Sequence, residues 1–131
     1  MKEKNQFRAL LVYPNLPLML VPPLSMALFT RVLKDEGYQV ELFDTTSYLT
    51  DDTTSPRNRV KYLQARKFDE TDDLGIAVKW GMLDDFRKRV LDYQPDVMFF
   101  SVVEDTMEKS LQMLKIVEDL RVPHLLGGVF P

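Results

Sequence analysis

Few residues in this chain could do chemistry, and their types restrict what that chemistry is. There is no cysteine, so thiol nucleophiles, thiolate metal sites and disulfides are excluded, and His124 is the single histidine. Two points remain: Ser101, which closes the apolar run Val97-Met98-Phe99-Phe100, and the pair Gly127-Gly128, which closes His124-Leu125-Leu126. Adjacent glycines at the end of a buried parallel strand let a large ligand approach the backbone, because no Cβ stands in its way. His124 lies three residues earlier, about 10 Å away at roughly 3.3 Å per residue, too far to act at that edge. Glu104 and Asp105 look like a paired acid site, but Asp105 and Glu108 have capping-box spacing and read better as a helix start. Asp44 ends a strand where nucleotide folds place an acid on a ribose hydroxyl; without a glycine loop it reads as a solvated turn.

The elements that must position these residues follow from hydrophobic periodicity. Ala9-Leu10-Leu11-Val12-Tyr13 is a continuous apolar run ended by a proline-rich turn, as in a strand buried on both faces. Pro22-Pro23 opens a helix with Leu24, Ala27, Leu28, Val32 and Leu33 at helical spacing, and Gly37 ends it as a left-handed cap. Val40-Glu41-Leu42-Phe43 is the second strand. The pattern dissolves from Asp44 to Trp80, apart from a helical segment around Arg59 to Phe68 and an apolar patch at Leu74 to Val78, and the aromatics Tyr48, Tyr62 and Phe68 read as a satellite core. Met82, Phe86, Val90 and Tyr93 give a second helix its buried stripe. Gln94-Pro95-Asp96 then leads into the third strand, Val97 to Val102. A last helix with apolar Met107, Leu111, Leu114 and Val117 leads to the fourth strand. The sum is an α/β domain with an open parallel sheet, Rossmann-like or flavodoxin-like, in strand order 2-1-3-4. Its ligand crevice lies between strands one and three, where the order reverses.

Composition limits the partners. At 131 residues and 45% hydrophobic content the chain supports one domain, and a net charge of -3 without a basic block argues against nucleic acid. The apolar stretch from Ala9 to Leu24 is interrupted by Pro14, Pro17, Pro22 and Pro23, short of the roughly 20 residues a membrane span needs. The expectation is a soluble cytoplasmic protein whose partners are small molecules or other proteins.

Common ligands of such a sheet can be tested against the turns. A dinucleotide site needs G-x-G-x-x-G after strand one, where this chain has Tyr13-Pro14-Asn15-Leu16-Pro17. A phosphoacceptor receiver needs acids at the ends of strands one and three, which are Tyr13 and Ser101. A flavin phosphate loop needs backbone N–H donors that prolines lack.

Leu10-Leu11-Val12-Tyr13-Pro14, Pro23-Leu24-Ser25-Met26-Ala27, the run from Leu33 to Asp44, Pro95-Asp96-Val97, Ser101-Val102-Val103 and Gly127-Gly128-Val129-Phe130-Pro131 carry a specific likeness. With these residues the chain resembles the cobalamin-binding domain at the amino end of many radical S-adenosylmethionine enzymes, over nearly its whole length. The resemblance implies that residues 1–131 are one cobalamin-binding-like domain, a fragment of a longer protein that would continue into further helix and strand. It implies Tyr13, Pro14, Ser101, Val102, Val103, Gly127 and Gly128 as cofactor-binding residues. By the same resemblance Ser101 and the glycine pair would line the slot for the cofactor's nucleotide tail, and no residue of this chain is expected to be catalytic or a metal ligand. The D-x-H-x-x-G motif that carries a cobalt-binding histidine is missing, as it commonly is in these relatives, so cobalamin is expected base-off without a protein histidine. Ser25 stands where relatives usually have glycine, and Phe130 where they often have histidine. The parent protein, a methyltransferase by this likeness, would add a downstream barrel with a 4Fe–4S cluster on C-x-x-x-C-x-x-C and bind S-adenosylmethionine. The exposed edge of strand four would favour self-association. Two alternatives stay open: the same fold without cofactor, serving as a structural or partner-docking domain, and a nucleotide- or flavin-binding domain.

Overall fold

The computed structural model describes residues 2–21, 23–50, 56–63, 66, 67, 69, 72, 73 and 75–129. Its elements run β1 (Arg8–Tyr13), α1 (Leu24–Asp35), β2 (Gln39–Asp44), α2 (Pro56–Lys61), α3 (Met82–Tyr93), β3 (Val97–Ser101), α4 (Met107–Ile116) and β4 (His124–Gly127), with short 3-10 turns between. The four strands form one parallel sheet in the order β2-β1-β3-β4. The order expected from the sequence is the one observed.

Crossover handedness explains how the helices are distributed. The chain steps one way from β1 to β2 and the other way from β2 to β3 and on to β4, so right-handed crossovers put α1 on one face and both α3 and α4 on the other. On the α3/α4 face Leu10, Val12, Met98 and Phe100 meet Met82, Phe86, Val90, Met113 and Val117 in the main core. On the opposite face α1 covers Ala9 and Leu11 and stacks Phe29 on Phe99 at 6.5 Å. Gly37, at φ +90°, ends α1 as expected, with the Tyr38 N–H donating to Leu33 O at 3.0 Å.

Several local expectations are corrected. Of the apolar stripe expected on α1, Leu33 alone faces the sheet. Met26 is the buried residue, while Leu24, Leu28 and Val32 are exposed. In α4 the buried face is Lys109, Ser110 and Met113, with Thr106 before it and Val117 after, and Leu111 is exposed. This face tolerates polar groups because each finds a partner, the Ser110 hydroxyl donating to Thr106 O at 2.8 Å. Asp105 is not a cap: it lies inside the 3-10 turn Glu104–Thr106, and the Thr106 hydroxyl oxygen accepts from the Val103 N–H at 3.1 Å. The fourth strand is not buried, since an edge position and an uncovered face leave all four of its residues exposed. Tyr48 joins the main core, 5.8 Å from Phe43, whereas Tyr62 is exposed. Phe68 and Leu74 lie outside the described residues. The long connection closes on itself at its root, where Leu49 N–H donates to Lys79 O at 2.8 Å and Lys79 N–H to Ser47 O at 2.9 Å.

Candidate functional site

The carboxyl edge of the sheet gathers Ser101, Val102, Val103, Gly127 and Gly128. Register pairs Ser101 with Gly127, and the Val102 N–H extends the ladder by donating to Gly127 O at 2.7 Å. The two glycines differ. A Cβ on Gly127 would meet no atom within 4 Å, so that position opens onto free space beside Ser101. Gly128 has φ +143°, and a Cβ there would lie 1.9 Å from the Val102 carbonyl oxygen. Its missing side chain is therefore required by this chain's own backbone, and the opening belongs to Gly127. Val102 is buried and Val103 exposed.

Tyr13 and Pro14 end β1 on the other side of Ser101, and they are closed off. Pro14 is fully buried, and the Tyr13 carbonyl accepts from Asn15 N–H at 2.8 Å and Thr45 N–H at 3.1 Å. Burial, and to a lesser degree the Asp44 charge, push the Tyr13 phenol above its ordinary pKa. The turn is held by residues that periodicity did not single out. Asn15 O accepts from Lys109 Nζ at 2.7 Å and from Thr45 Oγ1 at 2.8 Å, and the Asn15 amide donates to Met19 O at 2.6 Å and Thr46 Oγ1 at 2.9 Å. A buried lysine thus ties α4 to the loop after β1, across the point where the strand order reverses. The sequence signal for it was its spacing, since Thr106, Lys109, Ser110, Met113 and Val117 fall on one helical face.

His124 begins β4, at the end opposite the glycines, and its ring is exposed. Among the described residues no group of three His, Asp or Glu side chains could hold a metal ion, and no helix is long and apolar enough to cross a membrane. A separate cavity of about 410 Å³ opens between β2 and α3, but its charged groups satisfy one another. The Tyr48 hydroxyl donates to Asp85 Oδ2 at 2.8 Å and Arg89 to Glu41 Oε2 at 2.7 Å. The carboxyl edge is the stronger candidate.

The fold is similar to part of a radical S-adenosylmethionine methyltransferase. One matching structure is TsrM from Kitasatospora setae, solved with tryptophan substrate and the S-adenosylmethionine analogue aza-SAM bound, at 18% identity and a TM-score of 0.55. It covers 92% of this chain and 19% of that one, so the chain spans about a fifth of the neighbour's length. No protein-family model matches, and no curated protein does. At this identity the likeness establishes an open parallel α/β fold.

Proposed function

We propose that the chain is the cobalamin-binding module of a radical S-adenosylmethionine enzyme, a methyltransferase, with the nucleotide tail of the cofactor entering beside Gly127. The observation that carries this reading is the opening at Gly127 in register with Ser101, at the carboxyl edge of a sheet whose fold matches part of such an enzyme. A planar base needs a wall without side chains and a small hydrogen-bonding group opposite, and Gly127 and Ser101 supply both. Val102 and Val103 continue that wall, Gly128 fixes its turn, and Tyr13 and Pro14 form its closed far side. When bound, cobalamin would supply a transferable methyl group. The residues here bind and orient; none is catalytic or ligates metal. His124 lies at the wrong end of β4 to meet cobalt, so the base-off form is expected. The cluster and S-adenosylmethionine would belong to a downstream barrel of a longer protein.

Gly127→Val is the direct test, since its side chain enters open space in this fold. Titration with hydroxocobalamin, followed by absorption, should show base-off binding to the parent chain, unchanged binding to His124→Ala, and affinity lowered at least about tenfold in Gly127→Val. Equal affinity in a folded Gly127→Val variant, or no binding to the parent chain, refutes the site. A second reading, a docking domain without cofactor, draws on the uncovered α1 face and would be favoured by that last outcome.

A further inference from the structure

At the amino end of the sheet, on the α3/α4 face, a cavity of about 250 Å³ lies between the last turns of α4 and the start of β4. Its floor is apolar: Met98 and Val117 are buried, and Leu114 and Val122 are half-buried. Four ionisable side chains stand on its rim, Lys115, Glu118, Arg121 and His124. Among the described residues none of these four forms an ion pair, and the contact made by their polar atoms is that of His124 Nδ1–H, which donates to Val122 O at 3.3 Å. The cavity between β2 and α3 is different, since its charges are taken up by one another. Asp119, two residues before Arg121, is not available to it, because both its carboxylate oxygens accept from Arg87, at 2.6 and 2.8 Å. The rim is also held in place. Arg121 turns the chain toward β4 with φ +52°, its N–H donates to Glu118 O at 3.2 Å, and the Met98 N–H donates to Pro123 O at 2.9 Å just beyond.

We propose that this cavity binds a small amphipathic carboxylate, one ring or a short acyl chain bearing a single negative charge. Size limits the apolar part. Most small-molecule sites measure roughly 300–1,000 Å³, so a cavity of about 250 Å³ admits one ring and not a nucleotide. Charge selects the other part: two cations, Lys115 and Arg121, face one acid, Glu118, and they are free to take an anion because no carboxylate among the described residues holds them. The planar guanidinium of Arg121 matches a carboxylate with two parallel N–H donors. Glu118 on the same rim repels a doubly charged phosphate more than a monoanionic carboxylate. The apolar body then rests on Met98, Leu114 and Val117, where it leaves water. His124 and Gly127 stand at opposite ends of β4, about 10 Å apart, so this site is separate from the carboxyl edge and neither outcome of the cobalamin titration decides it.

The single histidine makes the test direct, because its imidazole C–H resonances identify themselves in the proton spectrum. Phenylacetate titrated into the 131-residue chain at constant pH should shift those resonances saturably, through the ring current of the bound phenyl group. Acetate has the charge without the ring, and phenethylamine has the ring with the opposite charge; neither should shift them at the same concentrations. Arg121→Gln should weaken phenylacetate binding about fivefold. The fold admits that variant, since Gln94 holds the same left-handed conformation at φ +52°. Glu118→Gln removes the rim acid and should tighten binding by a similar factor. Histidine resonances unmoved by phenylacetate overturn the proposal. Equal shifts with acetate overturn it by making the apolar floor idle, and equal shifts with phenethylamine by making the charge idle. Phenylacetate affinity identical in the parent and both variants overturns it as well.

Discussion

Replacing Gly128 by alanine isolates what the second glycine does. The new Cβ would stand 1.9 Å from the Val102 carbonyl oxygen, whereas real Cβ atoms do not approach within 3.0 Å, and the obstacle is backbone that cannot swing aside as a side chain could. Holding a non-glycine residue at φ +143° costs about 1–3 kcal/mol. Moving Val102 away also strains the 2.7 Å bond from its N–H to Gly127 O, which contributes about 0.5–1.5 kcal/mol. The total, about 1.5–4.5 kcal/mol, is a large part of the roughly 5–15 kcal/mol that holds a domain together. It should lower the thermal midpoint by on the order of 10 °C. Gly127→Ala is the internal control: its methyl group meets nothing, and relieving a strand glycine of its extra unfolded entropy should stabilise by up to about 1 kcal/mol. Circular dichroism melts of the three chains decide the matter. A Gly128→Ala variant as stable as the parent, or the two substitutions destabilising alike, would refute the assignment of separate roles.

Lys109→Met removes the buried donor to Asn15 O and should lower stability by about 1–3 kcal/mol in urea unfolding; an unchanged midpoint would mean that the loop after β1 is held by Asn15, Thr45 and Thr46 alone. Tyr48 is pushed up to about 12, first by burial and then by its hydrogen bond to Asp85. The unfolded phenol loses its proton near pH ~10, so its contribution is complete below that pH and is lost as pH rises through 12. Stability should fall across that window and fall less steeply in Tyr48→Phe. Identical slopes in the two chains would show that Tyr48 does not carry the effect.

The sheet was legible because its signals were local and redundant. Unbroken apolar runs at Ala9–Tyr13 and Val97–Phe100, with a helix pattern before each next strand, leave few topologies once crossovers must be right-handed. Burial of particular helix faces was less legible. The stripe Leu24, Leu28 and Val32 has the spacing of a core face, yet it points outward because Met26 and Leu33, on the other side of α1, meet the sheet. Periodicity marks an apolar face without saying what covers it, and α1 has two such faces.

The same limit governs the carboxyl edge. Sequence could mark Gly127-Gly128 as a pair, since only glycine leaves out a Cβ, but it could not divide the pair between a backbone contact and an opening, because that depends on where Val102 O lies across the strand. For Lys109 the sequence offered only its helical spacing with Thr106, Ser110, Met113 and Val117, and it reads as a solvated charge until the loop carbonyl that receives it is in place. The proposed site therefore rests on two independent supports: the Lys109–Asn15 tie closes the side next to β1, and the Gly128–Val102 approach fixes the side next to β4. Between them, among the described residues, the position at Gly127 beside Ser101 is open. Gly127→Val should thus reduce binding with little change in stability, whereas Gly128→Ala and Lys109→Met should act on stability first.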